Sequence, residues 1–177
     1  LYAMLPDGVV LLKSIEAGSA KSYAEQLEKQ LRASDFPYKL SAGSVQADFK
    51  GLHVSYQQAK DTLAVGSKLH PEVSFYCYSD YQIPVLLRQR ADFQENHDLL
   101  YHYEKLKEYD RKKELIETLT TYIEENGEGS TTAKKLFIHR NTLSYRLDKI
   151  QDITGKDPRK VKDLFELYVA LLLSKIS

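Results

Sequence analysis

Ser130–Ile150 reads STTAKKLFIHRNTLSYRLDKI. It opens with hydroxyl residues that cap helices, and Ser130, Thr131 or Thr132 can start a short one. A connection of two or three residues around Phe137-Ile138 follows, and then a second periodic stretch of at least three turns. Two helices joined that tightly have helix-turn-helix spacing. At about 100° per residue, Leu143, Leu147 and Ile150 fall on one side of the second helix and form its core face. Asn141, Tyr145 and Asp148 point the opposite way, with Ser144 on one flank and Thr142 and Lys149 on the other. Phe137 stands where such turns often have glycine, and its bulk predicts packing against a neighbouring helix.

A polar face of this kind has a use on double-stranded DNA. Arg140, in the first turn, stands where a helix docked in the major groove reads bases, and its fork fits guanine. Asn141 fits adenine, Ser144 fits several base edges, and Tyr145 can pack on a thymine methyl or touch a phosphate. These four are the candidate base readers. Ser130, Thr131, Lys134, His139, Thr142, Arg146 and Lys149 are the candidate phosphate contacts. Arg146 also suits a structural role, as partner of Glu166 or another carboxylate. Asp148 is unfavourable beside phosphates, so docking must carry it away from the backbone or let it accept from cytosine.

Charge supports a local reading. The chain has 25 basic and 25 acidic residues, which argues against a uniformly basic nucleic-acid binder. The halves differ: 12 Lys+Arg against 15 Asp+Glu up to Asp110, and 13 against 10 from Arg111 onward. Within Ser130–Ile150, Lys134, Lys135, Arg140, Arg146 and Lys149 face Asp148 alone. That is the footprint of a phosphate-contacting module, although a solvated helical surface has the same look.

Around this core other helices are legible. Leu115, Leu119, Tyr122 and Ile123 give the preceding helix its apolar face, with Asp110 as its cap and Asn126-Gly127 as its stop. Gly155 ends the helix that follows, and Asp157-Pro158 reads as N-cap and first-turn proline of a last helix driven by Val161, Leu164, Phe165, Tyr168, Leu171 and Leu172. Tyr81–Arg90 and Leu99–Glu108 read as connecting helices. Ahead of Asp80 the pattern changes. Leu1–Leu5 and Val9–Lys13 form a hairpin about Pro6-Asp7-Gly8. After Gly18, a helix over Ser19–Ala33 uses Tyr23, Leu27 and Leu31. Tyr38–Val45 is a strand, a helix over Val54–Leu69 buries Tyr56, Ala59 and Leu63, and Val73–Tyr78 alternates as a strand. Helices packed on an antiparallel sheet follow as the expected α+β arrangement.

The 177 residues, 42% hydrophobic and 28% charged, are enough for one large or two small folded domains. No apolar run reaches the roughly 20 residues of a membrane span, the longest candidate being Val169–Leu173. The single Cys77 forms no internal disulfide and fits a reducing cytosol as a core filler. Because the chain starts at Leu1-Tyr2-Ala3-Met4, it is expected to be a fragment of a longer polypeptide.

STTAKKLFIHRNTLSYRLDKI, together with ITG at Ile153–Gly155 and LYVALLL at Leu167–Leu173, resembles the C-terminal helix-turn-helix of PucR/CdaR-type bacterial transcription regulators. SYQQAKDTLAVG at Ser55–Gly66, VSFYCYSDY at Val73–Tyr81 and IPVLL at Ile83–Leu87 resemble the degenerate GGDEF-like domain of the carbohydrate-diacid regulators. The resemblance implies a GGDEF-like, cyclase-palm-like α+β domain over 1–80, a helical linker over 81–109 and an all-α helix-turn-helix domain over 110–177. It also implies a cytoplasmic activator of genes for uptake and catabolism of sugar diacids such as glucarate and galactarate, nucleoid-associated when bound to DNA. The sugar-diacid effector would be bound only by a domain upstream of Leu1.

An enzyme is not expected. An active cyclase needs paired glycines on the hairpin and acidic groups for magnesium, whereas Met4–Val10 offers Pro6, one glycine and only Asp7. His53, His70, His97, His102 and His139 lack metal-ligand spacing, and no nucleophile elbow or phosphate loop occurs. No catalytic residue, metal or cofactor is therefore assigned. Because one helix-turn-helix reads only a few base pairs, a homodimer on a roughly palindromic site is expected. The competing reading is a helical protein-interaction module that uses the same exposed face.

Overall fold

The computed structural model describes residues 1–6, 8–15, 20–33, 37–90 and 97–176. Asp7, Gly18 and Ser19, and with Asp7 the one candidate metal group of the hairpin, lie outside them. The chain forms two compact units, Leu1–Val85 and Leu86–Ser177.

In the first unit, β1 (Tyr2–Leu5) pairs antiparallel with β2 (Gly8–Leu11), with Tyr2 opposite Leu11. Helix α1 spans Ala20–Leu31, β3 Leu40–Ala42, α2 Leu52–Leu69 and β4 Phe75–Cys77. Strands β3 and β4 are parallel, which corrects the expected antiparallel sheet. The reason lies in the connection, because α2 returns the chain to the same end of the sheet, as a parallel pair requires. Both α1 and α2 pack on β3 and β4.

Tyr76 is fully buried, and its neighbour Cys77 is buried with it, so β4 does not alternate between a buried and an open face. Gly66 makes room for Tyr76: a Cβ there would lie 2.4 Å from its ring. The buried faces of both helices are rotated from the expected ones. On α1, Ala24 is buried and Tyr23 is exposed, with Lys13 Nζ 5.7 Å from its ring centroid. On α2, Thr62, Val65 and Gly66 are buried, Ala59 and Leu63 only partly so, and Tyr56 is exposed.

Helix α3 (Tyr78–Arg90) is kinked at Tyr81, three residues before Pro84. Proline has no N–H to offer and its ring crowds the carbonyl four residues back, so a kink falls there. The second unit continues with α4 (His97–Tyr109), α5 (Glu114–Glu124), α6 (Gly129–Lys135), α7 (Arg140–Thr154) and α8 (Val161–Ile176). Its core joins Leu106, Leu115, Leu119, Tyr122, Ala133, Leu143, Leu147, Ile150 and Leu167. The sequence placed 81–109 in a linker, yet α4 packs on α7 and α8, and Leu106 is wholly buried. On α8 the buried side is carried by Leu167, Ala170, Leu171 and Leu173, while Val161 and Phe165 lie exposed, contrary to expectation. The helix also starts later than Asp157-Pro158 indicated, because the Asp157 carboxylate accepts from the Arg159 N–H at 3.1 Å and makes a turn instead. Among the described residues no helix is long and apolar enough to cross a membrane.

Candidate nucleic-acid interface

Helix α5 ends where Asn126 (φ 56°) and Gly127 (φ 77°) both take the left-handed conformation. The start of α6 departs from expectation: its cap is Glu128, not a hydroxyl residue. The Glu128 carboxylate accepts from the backbone N–H of Ser130 (3.1 Å) and Thr131 (2.7 Å) and from the Thr131 hydroxyl (2.6 Å). These bonds, led by the Thr131 hydroxyl, lower its pKa below the ordinary carboxylate value. Two N–H groups that a DNA phosphate could have used are thus already satisfied by a carboxylate.

Between α6 and α7, the turn is made by Phe137 itself, at φ 54° and 96% exposed. The expected packing against a neighbouring helix is absent. Here phenylalanine occupies the left-handed position where glycine is at ease, and its side chain stands in solvent. His139 then caps α7, its Nδ1 3.3 Å from the Asn141 N–H, and Gly155 closes the helix at φ 73°.

On α7 the core face is as the periodicity predicts, with Leu143, Leu147 and Ile150 buried. Arg140, Asn141, Thr142, Ser144, Tyr145 and Asp148 are exposed, Tyr145 at 66%. Ser130, Lys134, Arg140 and Ser144 line a cleft between α6 and α7, with Arg159 at its edge. The structure therefore brings the four candidate base readers and Lys134 onto or beside one surface.

Three other candidates are placed differently. Arg146 is held inward: its guanidinium lies 3.2 Å from Glu114 and donates to Thr118 Oγ1, also at 3.2 Å. Glu166, the partner named first from sequence, pairs with Lys156 at 2.5 Å instead. Lys149 is half-buried, its ammonium 5.1 Å from the Tyr109 ring centroid, and the Tyr109 phenol raises its pKa. Thr131 spends its hydroxyl on Glu128. Sequence reasoning missed Arg159, whose Nη2 reaches Asp148 Oδ1 at 2.9 Å and both the carbonyl and the hydroxyl of Ser144 at 3.2 Å. Fifteen residues separate it from Ser144, so no helical periodicity could link them.

Residues 115–173 match the PucR C-terminal helix-turn-helix domain, and residues 1–65 match the GGDEF-like domain. The chain belongs to the PucR/CdaR-type transcription regulators. It is 36% identical over 162 residues to the carbohydrate diacid regulator of Escherichia coli, covering 90% of this chain and 42% of that protein. An uncharacterized protein of Haemophilus influenzae is 34% identical over 171 residues, covering 94% of the chain and 46% of that protein. The purine catabolism regulatory protein of Bacillus subtilis is 28% identical over 180 residues, covering 96% and 33% respectively. The chain thus spans less than half the length of these three relatives. Its membership puts a PucR-type helix-turn-helix on α5–α8, where the exposed face of α7 lies. Helix α4, which packs against that module, lies ahead of the matched residues.

Proposed function

We propose that the second unit binds double-stranded DNA sequence-specifically, with the exposed face of α7 in the major groove. The observation that carries this reading is the exposure of Asn141 and Tyr145 on the side of α7 opposite the buried Leu143, Leu147 and Ile150, with Ser144 exposed on the flank and Arg140 exposed in the first turn. In this reading Arg140, Asn141, Ser144 and Tyr145 meet bases, while Lys134, Thr142, the Ser130 hydroxyl and His139 meet phosphate. Arg146, Lys149 and Thr131 support the module through Glu114 and Thr118, Tyr109 and Glu128 respectively. Two copies act together on a roughly palindromic site, since one module reads too few base pairs for specificity.

We further assign the chain to regulation, as an activator, of sugar-diacid uptake and catabolism, with the diacid bound upstream of Leu1. Support for this finer reading is the higher identity to the relative named for carbohydrate diacids than to the one named for purine catabolism. Selection of duplexes from a randomised library by the full chain, followed by gel shifts over a salt series, tests the DNA reading. Log affinity should fall linearly with log salt. Binding that ignores salt favours the protein-interaction reading, to which the exposed Phe137 and Tyr145 would then belong.

A further inference from the structure

We propose that Arg159 is a positioning residue for DNA recognition: it neutralises Asp148 and holds the Ser144 hydroxyl as a hydrogen-bond donor facing the groove. This rests on the DNA-binding reading above and concerns a residue outside the recognition helix.

Asp148 is the difficulty on the exposed face of α7, because a carboxylate beside phosphates is repelled. Arg159 Nη2 lies 2.9 Å from its Oδ1. The same Nη2 is 3.2 Å from Ser144 Oγ and 3.2 Å from the Ser144 carbonyl oxygen. A guanidinium only donates, so Ser144 Oγ must be the acceptor in that bond. Its own O–H is then left to donate outward, toward N7 or O6 of guanine, N7 of adenine or O4 of thymine. Without Arg159, the serine could accept from cytosine or adenine amino groups equally well and would discriminate less.

The position of Arg159 is built in. Its N–H donates to Asp157 Oδ1 at 3.1 Å, and the Asp157 N–H donates to Asp163 Oδ2 at 3.0 Å in the first turn of α8. Pro158 between them is fully buried. Asp157 also approaches the guanidinium, at 3.6 Å from Nη1, but Lys160 lies 4.0 Å from its other oxygen. Arg159 is thus shared between the two carboxylates, and its shorter contact is to Asp148.

The test compares the full chain with Arg159→Ala, Asp148→Asn and the double variant, on the duplex that the parent selects from a randomised library. Arg159→Ala should weaken binding about 10-fold or more, the effect of one unbalanced carboxylate near phosphates. Asp148→Asn in the Arg159→Ala background should restore most of that loss. The slope of log affinity against log salt should stay the same in parent and variants. Ser144→Ala should relax preference at one base pair in the parent and change nothing further in Arg159→Ala. Thermal melts confirm folding, and Arg159→Lys, which keeps the charge but loses the fork, should keep affinity and lose the base preference. Absence of rescue by Asp148→Asn, with a salt slope smaller by about one, would make Arg159 a direct phosphate contact and overturn the proposal. An Arg159→Ala chain that binds like the parent overturns it as well. A parent that selects no duplex removes the DNA reading itself, and this proposal with it.

Discussion

Arg146 on α7 and Glu114 at the first residue of α5 are 3.2 Å apart, and the same guanidinium donates to Thr118 one turn further along α5. The pair ties the recognition helix to the helix behind it. Its geometry is half exposed on the glutamate side, so its contribution is that of a partly screened ion pair with an added hydrogen bond, about 1 kcal/mol. Arg146→Met should lower stability by about that amount and leave the salt slope of DNA binding unchanged. Denaturant unfolding and a salt series measure the two effects, and a reduced slope would return Arg146 to the phosphate contacts.

Leu147 meets Leu106, Leu119 and Leu167 in one core cluster and is itself buried. Leu147→Ala should cost ~2–5 kcal/mol and take DNA binding with it, as a cavity in a packed core does. A variant with the parent's melting curve would mean that α7 is turned differently on its axis.

Base readers and phosphate contacts separate in their sequence dependence. Arg140→Ala and Asn141→Ala should each cost ~1–3 kcal/mol on the preferred site and relax one base position. Lys134→Ala should weaken every duplex alike. Gel shifts across single-base operator variants distinguish these outcomes, and a uniform loss for Arg140→Ala would strike it from the base readers.

Phe137 holds a left-handed backbone with its ring in solvent. No packing is lost on removing the ring, while glycine relieves the conformational strain and surrenders some entropy to the unfolded chain. Phe137→Gly should therefore raise stability by about 0.5–1 kcal/mol, readable as a higher melting temperature. A clear loss would show that the ring is packed in solution.

Glu128 supplies a pH dependence with a definite sign. Its carboxylate has a lowered pKa in the fold, from 4.5, chiefly through the Thr131 hydroxyl. A depressed folded pKa means that the ionised cap stabilises above the unfolded value and that this is lost as pH falls through the folded one. The melting temperature of Glu128→Gln should lie below the parent's at neutral pH, and the gap should close as pH falls past the ordinary carboxylate value and through the lowered one. A gap that widens in acid would contradict the cap.

The helix-turn-helix was legible because its signals are local. Leu143, Leu147 and Ile150 repeat on the helical period, Asn126-Gly127 and Gly155 stop helices by their own backbone preferences, and the turn is too short for another arrangement. What remained hidden depends on distant partners. Nothing near Arg146 in sequence names Glu114 over Glu166, and nothing near Ser144 points to Arg159. Glu128 was passed over because three hydroxyl residues follow it, each an equally good cap by type. In the first unit the short strands misled most. Burial of the adjacent Tyr76 and Cys77 removes the period-2 signal from β4, and strand direction is set by the α2 crossover rather than by any residue within the strands.

Helix α4 changes what counts as the smallest working piece of this protein. The matched helix-turn-helix residues begin at 115, but Leu106 fills the same core as Leu147, and Tyr109 sits against Lys149. A polypeptide begun at 115 would leave that apolar surface open to water, inviting aggregation. One begun at His97 keeps the wall closed. The same contacts make α4 a wall of the recognition module, since it backs both α7 and α8.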